Sequence, residues 1–177
     1  MIKAYKGIQP RIAETCFIAE TAVVIGNVDI GPDVGIWYGV TIRGDVNTIS
    51  IGAETNIQDG SVVHVDSHPS GKSRGRTSIG RRVTIGHGAI IHACDIGDEC
   101  LIGMGAIILS GAKISEGSLV AAGSLVREGQ EFPPGSLIAG NPADVKKVIS
   151  PEQRESIRSS AKHYVELAHE YRGNPSL

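Results

Sequence analysis

The sequence predicts an all-β solenoid, a parallel β-helix of hexapeptide repeats with a C-terminal α-helix packed along it, and three observations carry that prediction. Aliphatic residues return every six positions, as at Ile12, Ile18, Val24, Ile30, Ile36 and Ile42. A small or β-branched residue follows most of them four places later. The 177 residues include 23 glycines and only 4% aromatics, which suits tightly stacked corners better than a ring-rich core. A period of six fits neither a lone helix nor a simple meander and is the signature of hexapeptide β-helix repeats.

After Ile42 the series continues at Ile51, Ile57 and Val63, then at Ile79, Ile85 and Ile91. A five-residue step leads to Ile96, and the count of six then runs through Ile102, Ile108, Ile114, Val120, Val126, Phe132 and Ile138. The companions four places on include Ala22, Val28, Val40, Val46, Thr55, Ser61, Ala89 and Ala106. Each hexapeptide supplies one short strand and one corner, and three of them close a coil. Both marked positions point inward, and the residue just after the aliphatic one points outward by strand alternation. Glycine, Asn and Asp tolerate the corners. Two departures from the count are expected to leave the prism. Extra residues near Asn47 to Ser50 bulge at a corner, and the long gap from Val63 to Ile79 holds a loop insertion, 66–76, "DSHPSGKSRGR".

A solenoid needs a capped end. "SPEQ" at 150–153 is a capping box with Ser150 as N-cap, Pro151 at the first helical position and Gln153 reaching back. Ile157, Ala161, Tyr164, Ala168 and Tyr171 then form a stripe at helical spacing, predicting one helix over about 151–171. The chain therefore divides into a β-helix, 1–149, and a helix with its tail, 150–177.

A formal charge of −2 gives no general attraction to nucleic acid or anionic lipid. No apolar run approaches the ~20 residues of a membrane span, and the start lacks a secretory pattern, so a cytoplasmic location is expected. Cys16, Cys94 and Cys100 form no C-x-x-C pair and read as reduced thiols.

Counting coils places Arg43, His64 and His92 in one outward column, so His64 and His92 stand on adjacent coils where two imidazoles can ligate one metal ion. His87 falls one face earlier, in a column with Asp59 and beside Gln58. A three-fold packing of such prisms would bring His87 of one copy against His64 and His92 of another. Three histidines with a vacancy make a catalytic rather than a structural metal site. His68, His163 and His169 read as exposed side chains. Lys72, Arg74, Arg76, Arg81 and Arg82 read as a solvated basic cluster making salt bridges at an interface.

The segments "IWYGVTIRGDV" (36–46), "NIQDGSVVHV" (56–65), "IGHGAIIHAC" (85–94), "IGMGAIIL" (102–109) and "PPGSLIAGNPADV" (133–145) resemble the γ-class carbonic anhydrase family. The resemblance implies a left-handed β-helix homotrimer in which His64, His87 and His92 bind Zn2+, or Fe2+ or Co2+, at subunit interfaces. It also implies an Arg43–Asp45 ion pair across the interface, Gln58 and Asp59 orienting water and substrate, and Asn56 and Tyr164 lining the site. The best-known archaeal members carry a glutamate after "RGD", where this chain has Val46, and an acidic proton-shuttle loop. Here loop 66–76 has no glutamate, which leaves Asp66 or His68 as proton carriers and implies slow proton transfer.

The implied reaction is hydration of CO2 to bicarbonate, with a divalent ion lowering the pKa of its water to about 7. Three other readings use the same residues or the same fold. They are a metal-dependent acyl ester hydrolase or thioesterase, a non-catalytic trimeric scaffold or assembly subunit, and an acyltransferase, which ranks lower because the histidines fit metal columns better than a lone base.

Overall fold

The computed structural model describes residues 1–67 and 75–173. Short parallel strands stack into a left-handed solenoid of about seven coils whose cross-section is a triangle of three faces. The first face stacks the start of Thr41–Ile51, then Val62–His64, Ile90–His92, Ile107–Ile108 and Leu125–Val126. The second stacks the end of Thr41–Ile51, then Thr77–Ile79, Asp95–Ile96, Lys113–Ile114 and Glu131–Phe132. The third runs from Phe17–Ile18 through Gly35–Ile36, Asn56–Ile57, Thr84–Ile85, Leu101–Ile102 and Leu119–Val120 to Ser136–Gly140. Ala143–Val148 pairs antiparallel with that last strand and ends the stack.

The six-residue count sets the register. Ile57, Ile85, Ile102, Val120 and Ile138 stand in one column, all fully buried. Where the small inward residue is polar, its hydroxyl satisfies a corner carbonyl: Ser61 Oγ donates to Gly86 O at 3.0 Å and Thr55 Oγ1 to Gly80 O at 2.8 Å. The glycine after the aliphatic residue reflects how closely coils approach, since a Cβ on Gly103 would lie 2.4 Å from the Ala122 amide nitrogen. Ile12 and Ile18 are only partly buried, because the first coil has a neighbour on one side alone.

The bulge near Asn47 to Ser50 begins earlier than the sequence suggests. Pairing keeps Gly26 opposite Gly44 and then jumps to Val28 opposite Ile49, so the extra residues lie between Gly44 and Ile49. Val46, expected inside, is 48% exposed, and Ile49 takes the core position at 1%. Ile49→Ala should therefore lower unfolding stability by about 2–4 kcal/mol, and Val46→Ala should change it by no more than about 0.5 kcal/mol. Denaturant titration at matched protein concentration reads both.

Loop 66–76 is pinched at its base: Asp66 N donates to Gly75 O at 2.8 Å, and Thr77 Oγ1 donates to His64 O at 2.5 Å. The coil resumes in register across it, with Ile51 opposite Ile79.

Helix α1 spans Pro151–Gly173. Its capping box is reciprocal: Gln153 N donates to Ser150 Oγ at 3.2 Å, and Ser150 N donates to Gln153 Oε1 at 3.0 Å. Ile157, Ala161 and Ala168 are buried against the third face. Most of the scarce aromatics gather outside the prism beneath α1, where the Trp37 ring centroid lies 5.1 Å from Phe17, 5.7 Å from Tyr164 and 5.1 Å from Tyr171, while Phe132 packs inside the core. Glu99 ties α1 to a corner through Arg158 at 2.9 Å and Arg82 at 2.8 Å. The Arg158 hydrogen bond, joined by Arg82 and opposed by partial burial, holds the Glu99 carboxyl below its ordinary range.

Candidate metal centre

His64 and His92 end neighbouring strands of the first face and are paired in register. Their rings converge, with His64 Nδ1 3.3 Å from His92 Nε2. The opposite nitrogen of each ring is held: His64 Nε2 lies 3.0 Å from Asp45 Oδ1, and His92 Nδ1 lies 3.0 Å from Ser110 Oγ. An ionised carboxylate only accepts, so His64 Nε2 carries the proton and a neutral His64 presents a lone pair at Nδ1. With Ser110 accepting from His92 Nδ1, a second lone pair faces the first. Two imidazole ligands about 2.0–2.1 Å from one tetrahedral ion stand about 3.3–3.4 Å apart, so this donor pair fits a divalent cation, with the outer partners that orient ligand rings already in place.

Asp45 reaches His64 because it lies in the bulge. Its other oxygen accepts a hydrogen bond from Arg43 Nη1. Burial pushes the Asp45 carboxyl up, but the bonds from His64 and Arg43 outweigh it and hold the group below its ordinary value. Within the single chain the bulge brings Asp45 back beside Arg43, and the two pair there.

His87 and Asp59 occupy corner turns after Thr84–Ile85 and Asn56–Ile57, one coil apart. His87 Nδ1 lies 2.9 Å from Asp59 Oδ2, which leaves Nε2 directed away from its anchor. The two histidine groups flank the first face, His87 at the corner entering it and His64 with His92 at the strand ends leaving it. Among the described residues of one chain, no three His, Cys, Asp or Glu side chains gather closely enough to hold a metal. Between the two groups lies an outward apolar strip, with Val62 39% and Ile90 40% exposed, and Met104, 58% exposed, stands at the His87 corner one coil on.

Gln58 and Asn56 are buried behind His87. Gln58 Nε2 donates to Asn56 Oδ1 at 3.1 Å, and Asn56 Nδ2 donates to Thr84 Oγ1 at 3.0 Å. Tyr164 descends from α1, and with Gln58, His87, Leu101, Met104 and Leu119 it lines a groove of about 430 Å³. Burial, then the Asp59 charge, pushes the Tyr164 phenol up. On the far side of His92, a polar cleft of about 620 Å³ is bordered by Asp66, Ser110 and Lys113. Asp66 Oδ1 approaches His92 Nε2 to 3.9 Å.

Other sequence readings resolve more simply. Arg76, Arg81 and Arg82 pair within the chain with Asp95 at 3.1 Å, Asp98 at 3.4 Å and Glu99 at 2.8 Å. His68, Lys72 and Arg74 lie outside the described residues. His169, read as merely exposed, lies 3.1 Å from Asp33 Oδ1. All three cysteines are free, and burial pushes the Cys94 and Cys100 thiols up to about 12, so neither is a ready ligand. The sequence reading missed Ser110. It stands one residue past the position opposite His92, on the coil that the five-residue step shortens, so counting sixes does not reach it.

Residues 76–110 and 94–127 match a family model described as the hexapeptide repeat of succinyl-transferase. The chain is 46% identical over 160 residues to "Gamma carbonic anhydrase 1, mitochondrial" of Arabidopsis thaliana, covering 90% of this chain and 58% of that protein's length. It is 38% identical to "Carbonic anhydrase" of Geobacillus kaustophilus, covering 97% of this chain and 91% of that one. The crystal structure of a hexapeptide transferase family protein from Anaplasma phagocytophilum superposes with a TM-score of 0.90 at 42% identity, covering 97% of this chain and 98% of that chain. No helix among the described residues is long and apolar enough to cross a membrane.

Proposed function

The chain belongs to the γ-class carbonic anhydrase family, and from that premise we propose that it assembles about a three-fold axis into a metal centre that hydrates CO2 to bicarbonate. One observation carries the reading. Two imidazole nitrogens face each other at ligand separation while their far nitrogens are held by Asp45 and Ser110. His87, anchored by Asp59, is the third ligand and comes from a neighbouring copy. The exposed Val62 and Ile90 strip between the two half-sites is the surface those copies bury. Three imidazoles suit Zn2+, with Fe2+ or Co2+ accepted by the same donors. The three free thiols suit a reducing compartment such as the cytoplasm.

When bound, the ion acts as a Lewis acid that activates water near neutral pH. The protein's residues supply the rest. Asp45 and Asp59 fix the ring orientations of His64 and His87. Arg43 holds Asp45 and adds positive charge where bicarbonate forms. Gln58, backed by Asn56, offers one end of a fixed amide to the attacking water or the substrate. Tyr164 closes the site from the helix side.

A second reading draws on the groove of about 430 Å³, which exceeds what CO2 needs and is walled by Leu101, Met104 and Leu119. The same water chemistry there would hydrolyse an acyl ester or thioester. The trimeric scaffold and the acyltransferase stand behind these two, because the half-sites carry outer-shell partners that an inert interface does not require. The experiment is one anaerobic preparation assayed for metal per chain, CO2 hydration and acyl-ester hydrolysis. Hydration above buffer that scales with metal content is expected. Hydration no faster than buffer at every metal loading overturns the reading, and ester turnover alone selects the second.

A further inference from the structure

Resting on the hydration site above, we propose that Thr84 and Ser160 are positioning residues that decide which end of the Gln58 amide faces the reacting water. The two belong to different elements. Thr84 begins a strand of the third face, and Ser160 sits on α1, 76 residues later, with their hydroxyl oxygens 3.4 Å apart. Thr84 is also the acceptor for Asn56 Nδ2 at 3.0 Å, and Asn56 Oδ1 is the acceptor for Gln58 Nε2 at 3.1 Å. A single line of hydrogen bonds therefore runs Gln58, Asn56, Thr84, Ser160, with Gln58, Asn56 and Thr84 all buried.

With the Thr84 proton spent inside it, such a line has two polarities. If Thr84 gives its proton to Ser160, its lone pairs accept from Asn56. The Asn56 carbonyl then accepts from Gln58, and the Gln58 carbonyl oxygen is the free end. If Thr84 instead gives its proton to Asn56 Oδ1, both amides invert and Gln58 presents its NH2. A hydroxyl is the only member that can switch between donor and acceptor without moving heavy atoms. The choice thus rests on where the Thr84 proton goes, and Ser160, whose hydroxyl can accept or donate, is the partner placed to receive it. With the first polarity, Gln58 Oε1 accepts an O–H from the attacking water and leaves that oxygen's lone pair free toward CO2. The inverted amide would donate to the same oxygen and blunt it as a nucleophile. Because Ser160 lies on α1, the seating of the helix is coupled to the chemistry at the corner.

The test uses full-length protein with Thr84→Val, Thr84→Ser, Ser160→Ala, Gln58→Ala and the Thr84→Val/Gln58→Ala pair. Exchange of the Gln58 side-chain NH2, assigned by its absence in Gln58→Ala, is followed by NMR. Thr84→Val and Ser160→Ala are expected to speed that exchange about tenfold, whereas Thr84→Ser retains protection. In hydration assays Thr84→Val should lower kcat/KM about five- to tenfold, Thr84→Ser should restore it, and Thr84→Val should cost nothing more once Gln58 is alanine. Unchanged amide exchange, or a Thr84→Val loss that persists in full without Gln58, overturns the proposal. The exchange measurement reads the hydrogen-bond line without any turnover. An inactive wild-type protein with a protected Gln58 amide would therefore refute the hydration reading while leaving the line's polarity established.

Discussion

His92→Ala should strip the protein of metal and lower CO2 hydration by at least about 100-fold, since loss of an outer-shell partner alone typically costs 10–100-fold. The substitution leaves two imidazoles and deprives His64 Nδ1 of the nitrogen that faces it at 3.3 Å. It should do so without unfolding the chain. The His92 side chain is part-exposed at the end of its strand, and the core contact belongs to Ile91, which is fully buried. Metal analysis, stopped-flow hydration and a thermal melt on the same sample separate the outcomes. Stoichiometric metal in His92→Ala would place the ion elsewhere and remove the proposed centre.

Two inactive variants should rescue each other. His87→Ala keeps an intact His64–His92 pair, and His92→Ala keeps an intact His87 with Asp59. If every centre takes the pair from one copy and His87 from the next, a mixed trimer contains one interface at which both intact halves meet. Random reassembly of equal amounts would then restore about one quarter of the wild-type sites, because about three quarters of trimers are mixed and each holds one good site in three. Recovery of metal and hydration after unfolding and refolding the mixture together, absent when each variant is refolded alone, is the expected result. No recovery in a mixture shown to contain mixed trimers would mean that the three histidines never share an ion.

Much of the fold can be read from the chain because a repeat carries its own register. The positions of Ile57, Ile85 and Ile102 follow from counting, and with them the pairing of His64 with His92 and of His87 with Asp59. The capping box at Ser150 is equally local and equally readable. Reading fails where the count is broken. Val46 and Ile49 are both β-branched and could each face inward, so sequence alone does not say which side of an insertion keeps the pleat. That ambiguity hid Asp45's place beside His64. Ser110 and Thr84 were hidden for a different reason, since serine and threonine occur throughout the corners and only distance singles out the two that support the site.

The pinched base of loop 66–76 separates two properties that a continuous coil would bind together. The Asp66–Gly75 and Thr77–His64 bonds clasp the chain where it departs and returns, so the rungs carrying the paired imidazoles keep their alignment regardless of what is spliced between the clasps. Changes within that excursion should therefore leave the pairing of His64 with His92 in place, except at Asp66, whose Oδ1 lies 3.9 Å from His92 Nε2.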